Sequence, residues 1–182
     1  MPSAAQPQSA SLTANDFVLF GLPEHHALDR ALLDARWKEL QREAHPDRFA
    51  SQGAAAQRVA LQWSVRINEA YQRLKDPVRR AAYLCELGGV SIDAERNTAM
   101  PADFLMQQMQ WRESLDDASA VAELEALHDE VAQARREALQ ACERAIDAQS
   151  QLDVAAQQVR RLMFIERFLQ DIGQRLDQTH GA

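Results

Sequence analysis

The stretch His45-Pro46-Asp47 separates two long amphipathic helical patterns, and the fold of the first half of the chain follows from this arrangement. Pro46 disfavours helical geometry at His45 and cannot continue the preceding helix. We therefore predict a loop over residues 45–53 that displays an imidazole and a carboxylate between two helices. Polar side chains in such a loop are better placed to contact a partner than to hold a core. Taken alone, the tripeptide also fits an ordinary helix-stop turn in which Asp47 accepts backbone N–H groups.

Composition indicates an all-α protein. The 182 residues are 46% hydrophobic, which is enough for a packed core in one or two domains. The chain has only 6 Gly and 6 Pro, and helix-forming Ala, Leu, Gln and Arg are abundant while β-branched residues are few.

Cysteine usage and hydropathy bear on where the protein acts. Cys85 and Cys142 are far apart and form no CxxC motif, so we expect neither a disulfide framework nor a thiolate zinc site. No apolar run approaches the roughly 20 residues of a membrane-spanning helix. Residues 1–13 contain no Lys or Arg, which is unlike a secretory or transit peptide, and we interpret them as a disordered tail. These features predict a cytoplasmic protein with no membrane partner.

Charge is unevenly distributed along the chain. The balance is +2 over residues 14–85 and −9 over residues 86–182, which together give the net charge of −7. An acidic second half makes nucleic acid an unsuitable partner. The asymmetry also indicates two units with different surfaces.

Hydrophobic periodicity and breakers divide the chain into helices. In the first half they predict a short apolar start at 16–20, a helix from a cap at Asp29 to about residue 44, a helix over 54–75 and a short helix over 78–87. Residues 88–100 are a predicted linker. Beyond it, three helices over about 101–115, 118–149 and 152–177 are expected to cover one another as a bundle. The predicted domains are therefore residues 14–87 and 101–180.

The first half resembles a J domain. The resemblance rests on the helix–His-Pro-Asp–helix arrangement and on Asn68, Glu69, Ala70, Tyr71, Gln72, Arg73, Leu74, Lys75, Asp76, Pro77, Arg79, Arg80, Ala81 and Tyr83. It implies a module that stimulates ATP hydrolysis by a heat-shock-class chaperone. The contacts implied for that chaperone are the loop residues His45, Pro46, Asp47 and Arg48 and the helix cations Lys38 and Arg42. The last two are four residues apart and share one helix face, although an ordinary solvated face is an equally good interpretation of that pair.

The second half is similar to the HscB family, the J-type co-chaperones of iron–sulfur cluster assembly, bacterial branch. The similarity rests on residues 104–109, 112–116 and 159–164, together with residues 19–23 and Tyr83-Leu84. It implies a C-terminal three-helix bundle that binds a cluster scaffold protein of the IscU type. It also implies that the chaperone partner is an ATPase of the HscA type.

The helix that begins near residue 101 has two apolar sectors. Phe104, Trp111 and Leu115 form one stripe at about 100° per residue, with Gln108 among them. Leu105, Met106 and Met109 lie on another sector, which Glu113 and Asp117 extend. Such a helix is either buried on both sides or presents one side to a partner, and the acidic residues favour exposure.

The resemblance assigns scaffold-binding positions to this second sector. They are Leu105, Met106, Met109, Gln110, Glu113, Asp117 and Phe164, with Gln110 standing where the family often has Glu. Phe164 lies off the apolar stripe of its own helix, so we expect it to be exposed as well.

No residue pattern indicates an enzyme, a cofactor or a metal site. The histidines show no metal-ligand spacing, and we expect the adjacent His25 and His26 to be solvent-exposed. No Gly-rich phosphate loop is present, so ATP belongs to the partner. Two alternatives stay open: a general J-domain co-chaperone with a different client, and a structural helical adaptor or dimer in which the His-Pro-Asp sequence is accidental.

Overall fold

The computed structural model describes residues 13–92 and 100–180. The predicted tail, residues 1–13, lies outside the described residues except for Thr13, and the predicted linker, residues 88–100, does so over residues 93–99. All regular secondary structure in the described ranges is helical, which confirms the predicted all-α class.

The helix bounds follow the predicted pattern closely. The α-helices of the described ranges are α1 (Asp16–Phe20), α2 (Arg30–Glu43), α3 (Ala54–Lys75), α4 (Pro77–Leu87), α5 (Ala102–Asp117), α6 (Val121–Glu143) and α7 (Leu152–His180). Carboxylate caps set two of the starts. Asp29 accepts the N–H of Ala31 at the start of α2, and Asp76 accepts the N–H of Val78 near the start of α4, both at 2.8 Å. Within the described ranges, no helix has the length and apolarity needed to cross a lipid bilayer.

The chain forms two compact units, divided between Arg80 and Ala81. This division falls inside α4, whereas the sequence predicts the first domain to end at residue 87. The domain bounds read from the sequence, 14–87 and 101–180, therefore stay predictions.

An antiparallel helical hairpin, α2 with α3, forms the first unit's framework. Leu33, Ile67 and Leu74 are buried along the inner faces of the two helices. Trp37 stacks on Tyr71 with ring centroids 4.9 Å apart, which adds an aromatic contact to the apolar burial. The helix α1 packs against this hairpin through its buried phenylalanines and leucine.

A buried carboxylate, which the sequence interpretation missed, joins α1 to α3. Asp16 is completely buried, and its two oxygens lie 2.6 Å from Arg66 Nη2 and 2.8 Å from Arg73 Nη1. Two charge-assisted hydrogen bonds offset the cost of removing the carboxylate from water. The two arginines follow Asp16 by 50 and 57 residues, so nothing local in the sequence indicates the pairing.

The prediction that His26 is exposed was wrong. Only 3% of His26 is accessible, and its Nε2 lies 3.1 Å from the carbonyl oxygen of Pro77. Arg80, also buried, donates from Nε to the carbonyl oxygen of His26 at 2.8 Å. These contacts with backbone carbonyls make the histidine a packing residue between the α1–α2 connection and α4. His25 is exposed, as expected.

The second unit contains the predicted helices α5, α6 and α7. Its buried cluster comprises Phe104, Trp111, Leu127, Val131, Ala134, Ile165, Phe168 and Ile172. Trp111 also donates its indole N–H to Glu130 Oε1 at 2.7 Å, which satisfies the polar atom of this buried ring. An ion pair also joins Arg135 of α6 to Glu166 of α7 at 2.7 Å.

The connection between α6 and α7 is a tight π-type turn over Arg144–Ala148. The N–H of Gln149 bonds the carbonyl oxygen of Arg144 at 3.1 Å, which is the i to i+5 pattern of such a turn. Ser150 then takes a positive φ of 53° and reverses the chain. The reversal falls between the two helices predicted over about 118–149 and 152–177.

Candidate functional site

The His-Pro-Asp tripeptide lies between α2 and α3, where the chain forms a 3-10 helix over Pro46–Gln52 in place of the predicted irregular loop. His45 precedes this helix with an extended backbone at φ −66° and ψ 126°, as expected for a residue before proline. Pro46 occupies the first helical position, where its missing N–H costs nothing. Pro46 therefore restricts the backbone at the point where the turn displays His45.

His45, and not Asp47, supplies the local cap. The ring Nδ1 of His45 accepts the backbone N–H of Asp47 at 3.3 Å, which leaves Nε2 as the donor atom of the neutral ring. The side chain of His45 is 57% exposed and that of Asp47 is 91% exposed. Among the described residues, the Asp47 carboxylate lies 3.7 Å from Nδ1 of His45 and accepts no hydrogen bond. The helix-stop alternative, in which Asp47 binds backbone N–H groups, does not describe this turn.

Exposed cations flank the turn. Lys38 and Arg42 lie on the solvent-facing side of α2, and Arg48 is exposed as well. Arg48 donates from Nη1 to the carbonyl oxygen of Arg42 at 3.3 Å, which satisfies a carbonyl at the end of α2. The structure thus brings the six predicted chaperone-binding residues together at one end of the α2–α3 hairpin.

A polar network that the sequence interpretation missed holds the two helices of the hairpin in register. Gln41 donates to Asn68 Oδ1 at 2.7 Å and accepts from the Ser64 hydroxyl at 2.8 Å. Trp37 donates its indole N–H to the same Asn68 oxygen at 2.9 Å. These bonds lie one to two turns from His45, so they fix the direction in which α2 presents its cations. Asn68 belongs to the residues on which the J-domain resemblance rests, and this was the one sign in the sequence that could have indicated the network.

The two apolar sectors of α5 face opposite environments. Phe104 and Trp111 are buried, whereas Leu105, Met106 and Met109 are 45%, 63% and 70% exposed. Exposed apolar side chains this close together are unusual on a monomer surface. The structure therefore agrees with the alternative in which α5 presents one face to a partner, and we call these three residues the α5 apolar face.

Polar residues border the α5 apolar face. Gln110, Glu113 and Asp117 are exposed, so the predicted acidic extension of the sector is accessible. Arg112 lies on the other side of the face, with its guanidinium 5.7 Å from the centroid of the Phe164 ring. A partner that binds here meets an apolar centre with acidic groups along one border and a cation along the other.

The expectation that Phe164 is freely exposed was wrong. Phe164 is half-buried and packs against the core of the second unit. Its ring lies 5.7 Å from that of Phe104 in an edge-to-face arrangement and 5.8 Å from that of Phe168 in a stacked one. The helical wheel of α7 alone missed the contact with Phe104 because that residue belongs to α5. Met163, the neighbouring residue, is exposed and was not predicted.

Neither cysteine is placed for chemistry. Both are buried, and burial raises the pKa of the Cys85 thiol to about 11 and that of Cys142 to about 12. Protonated thiols are poor nucleophiles and poor metal ligands. In the described ranges no group of three His, Cys, Asp or Glu side chains is arranged to hold a metal ion. The two exposed surfaces, and not a reaction centre, are the candidate sites.

Comparison with known proteins identifies the family of this chain. Residues 100–173 match the family model described as the HSCB C-terminal oligomerisation domain. The chain is 49% identical over 170 residues to a co-chaperone protein HscB homolog of Burkholderia thailandensis, covering 92% of this chain and 97% of that protein. A homolog of the same name from Ralstonia nicotianae is 47% identical over the same shares.

Solved structures show the same fold. The chaperone HscB from Vibrio cholerae is 39% identical, with a TM-score of 0.84 over 91% of this chain and 99% of that one. Human co-chaperone protein HscB, at 24% identity, matches with a TM-score of 0.82 over 95% of this chain and 85% of that one, and supports the fold alone.

Proposed function

This chain belongs to the HscB family of co-chaperones, and from that membership we propose that it binds an iron–sulfur scaffold protein of the IscU type, delivers it to a chaperone ATPase of the HscA type and stimulates ATP hydrolysis there. The chain itself performs no chemistry in this proposal. The predicted cytoplasmic location stays a prediction.

The observation that carries the proposal is the placement of two exposed surfaces on separate compact units. The exposed turn of His45 and Asp47, with its flanking cations, lies in the first unit, and the α5 apolar face lies in the second. One molecule with two such surfaces can hold a client and contact an ATPase at the same time. Tethering of this kind raises the effective concentration of the client at the chaperone.

The coupling to hydrolysis is a matter of binding energy. Among the described residues, the groups beside the His45 ring are the backbone N–H and the carboxylate of Asp47, and neither is a nucleophile for His45 to activate, so general-base catalysis is not proposed. Contacts that the turn makes more strongly with the hydrolysis-competent conformation of the chaperone shift its population toward that conformation. The exposed Lys38 and Arg42 add electrostatic steering toward an acidic surface, an effect that salt weakens.

The chaperone half of the proposal is tested at the turn. His45→Gln and Asp47→Asn remove the imidazole and the charge with little change in volume, and we expect each to abolish stimulation of ATP turnover by the purified chaperone. His25→Gln is the matched control, because His25 is also exposed but lies outside the turn. Circular dichroism and scaffold binding are expected to stay unchanged. Stimulation that survives both turn variants would contradict the proposed role.

The scaffold half is tested on α5. Changing Leu105, Met106 and Met109 together to Ala removes most of the exposed apolar area, and we expect the Kd for the scaffold protein to rise by about 100-fold or more. Met163→Ala removes an equally exposed apolar side chain from α7 and is the control. Because the three residues are exposed, thermal stability is expected to change little. Equal binding of a denatured model protein would favour the general co-chaperone alternative.

A further inference from the structure

We propose that Leu61 and Val65 of α3 extend the chaperone-binding surface of the His45 turn and contact an aliphatic strip on the same ATPase partner. The inference rests on the proposed function above. It adds α3 to a surface that the sequence resemblance confined to α2 and the turn.

Leu61 and Val65 form an exposed apolar pair. They are four residues apart, hence neighbours on one face of α3, and are 55% and 49% exposed. The buried stripe of the same helix, at Ala60 and Ile67, faces the core of the first unit. Isolated exposed aliphatic residues are common, but two adjacent ones next to a functional turn form a candidate contact.

The contacts between α2 and α3 place this pair beside Lys38 and Arg42. Gln41 of α2 is hydrogen-bonded to Ser64 of α3 at 2.8 Å, so the two residues mark where the helices meet. Lys38 lies three residues before Gln41, and Arg42 lies one residue after it. At 100° per residue, the two side chains are rotated about 60° and 100° beyond Gln41, away from the core-facing side of α2.

On α3, Leu61 lies three residues before Ser64 and Val65 lies one residue after it. Their side chains are therefore rotated beyond Ser64 by the same angles, away from the core-facing side of α3. Because α2 and α3 are antiparallel, equal rotations past the contact line bring both pairs onto the same outer face of the hairpin. Leu61 lies toward the end of α3 that follows the Pro46–Gln52 segment. Of the apolar pair, Leu61 is thus the member nearer to the His45 turn, about two helical turns from the start of α3.

The charges on this face select the occupant. Among the described residues neither Lys38 nor Arg42 forms an ion pair, so both are available to acidic groups of a partner. A second copy of this chain would bring Lys38 and Arg42 toward the same cations in a two-fold contact, which is unfavourable. An acidic surface with aliphatic side chains beside it is complementary to the whole face. The chaperone ATPase, already required by the turn, is therefore the partner we assign.

The test uses the full chain and the purified chaperone ATPase. ATP turnover is followed against co-chaperone concentration for the double variant Leu61→Gln, Val65→Gln. We expect the concentration that gives half-maximal stimulation to rise about tenfold, because two aliphatic contacts are lost, while maximal stimulation and scaffold binding are kept. Val59→Gln is the matched control, because Val59 is 51% exposed on the same helix but lies 200° round the axis from Leu61.

A conservative double variant controls for an effect of the substitutions on folding. Leu61→Met with Val65→Ile keeps the face apolar, and we expect it to keep the wild-type half-maximal concentration. Circular dichroism of the Gln variant is expected to match the wild type, since both side chains are exposed. A rise in the half-maximal concentration for the conservative pair would overturn the inference.

Other outcomes separate this inference from the proposed function. If His45→Gln abolishes stimulation and the Gln double variant behaves as the wild type, the inference alone is overturned. If His45→Gln still stimulates fully, the proposed function fails and the inference fails with it. An equal loss with Val59→Gln would overturn the assignment of the face. So would sedimentation data in which the wild type is a dimer and the double variant a monomer.

Discussion

Asp16→Asn is expected to destabilise the first unit because it removes the charge of a buried carboxylate. Asp16 accepts two charge-assisted hydrogen bonds, from Arg66 and Arg73, and bonds of this kind contribute about 1.5–3 kcal/mol each. Asparagine keeps one acceptor of the same shape, so about half of the total is lost. The side chains of Arg66 and Arg73 are 20% and 42% exposed, so water partly solvates the arginines after the change. We expect the free energy of unfolding to fall by about 2–3 kcal/mol, at or just below the roughly 3–5 kcal/mol lost when a fully buried pair is broken.

Amide hydrogen exchange measures this loss in the unit where it arises. The chain has two compact units, so a single denaturation midpoint does not report one two-state transition. Core amides of α3 that exchange by unfolding of their unit are expected to lose about 30- to 150-fold in protection, the equivalent of 2–3 kcal/mol. Amides of α7, in the other unit, are expected to keep theirs.

Asp34→Asn is the matched control for the same chemistry at an exposed position. Asp34 pairs with Arg30 at 2.7 Å, with side chains 38% and 48% exposed, and the amide still offers an acceptor to the Tyr71 hydroxyl. Exposed pairs of this kind contribute little to stability, so we expect no measurable change in α3 protection. Equal losses for Asp16→Asn and Asp34→Asn, or a loss below tenfold for Asp16→Asn, would refute the argument from burial.

Three further predictions concern the second unit and the end of α4. Burial raises the pKa of Cys85 and Cys142, so both thiols are expected to resist a disulfide reagent at pH 8 in the folded protein and to react in urea. For the same reason, the free energy of unfolding should fall as pH rises above the pKa of the thiols in the unfolded chain. Gly88→Ala places a methyl group against Cδ1 of Leu152, but Gly88 is exposed and the flexible, partly exposed leucine can rotate away, so we expect the free energy of unfolding to change by less than about 1 kcal/mol, measured by exchange at α7. Backbone N–H groups at the start of α6 lower the pKa of Glu123. The stability that this carboxylate contributes is therefore present above the pKa of the unfolded chain and is lost as pH falls through the pKa of the folded protein. The difference in stability between the wild type and Glu123→Gln should vanish in acid.

Helix bounds were predictable because the signals that set them are local. The caps Asp29 and Asp76, the breaker Pro46 and the regular apolar spacing act within one or two turns of where they stand. The helix predicted for residues 54–75 has the observed bounds of α3 for this reason. The exposure of Leu105, Met106 and Met109 was also predictable, because the acidic Glu113 and Asp117 continue the same sector of α5.

Long-range pairings were the part that the sequence could not supply. The burial of His26 depends on the Pro77 carbonyl 51 residues away, and Asp16 depends on arginines of α3. Phe164 packs against Phe104 of α5, a contact that no helical wheel of α7 contains. Each of these was missed for the same physical reason: the partner is distant in sequence and the residue alone is compatible with exposure.

Folding stability gives no reason for apolar residues at Leu105, Met106 and Met109. The stabilising contacts of α5 come from its other face, where Phe104 and Trp111 are buried, and replacing exposed apolar side chains with polar ones seldom destabilises a helix. Exposed apolar area also favours nonspecific association, so it carries a cost in the free protein. A partner that buries this face removes that cost and converts the exposed area into binding energy. Unbranched methionine at two of the three positions can adapt to such a surface, so the proposed binding role accounts for the α5 apolar face where the fold does not.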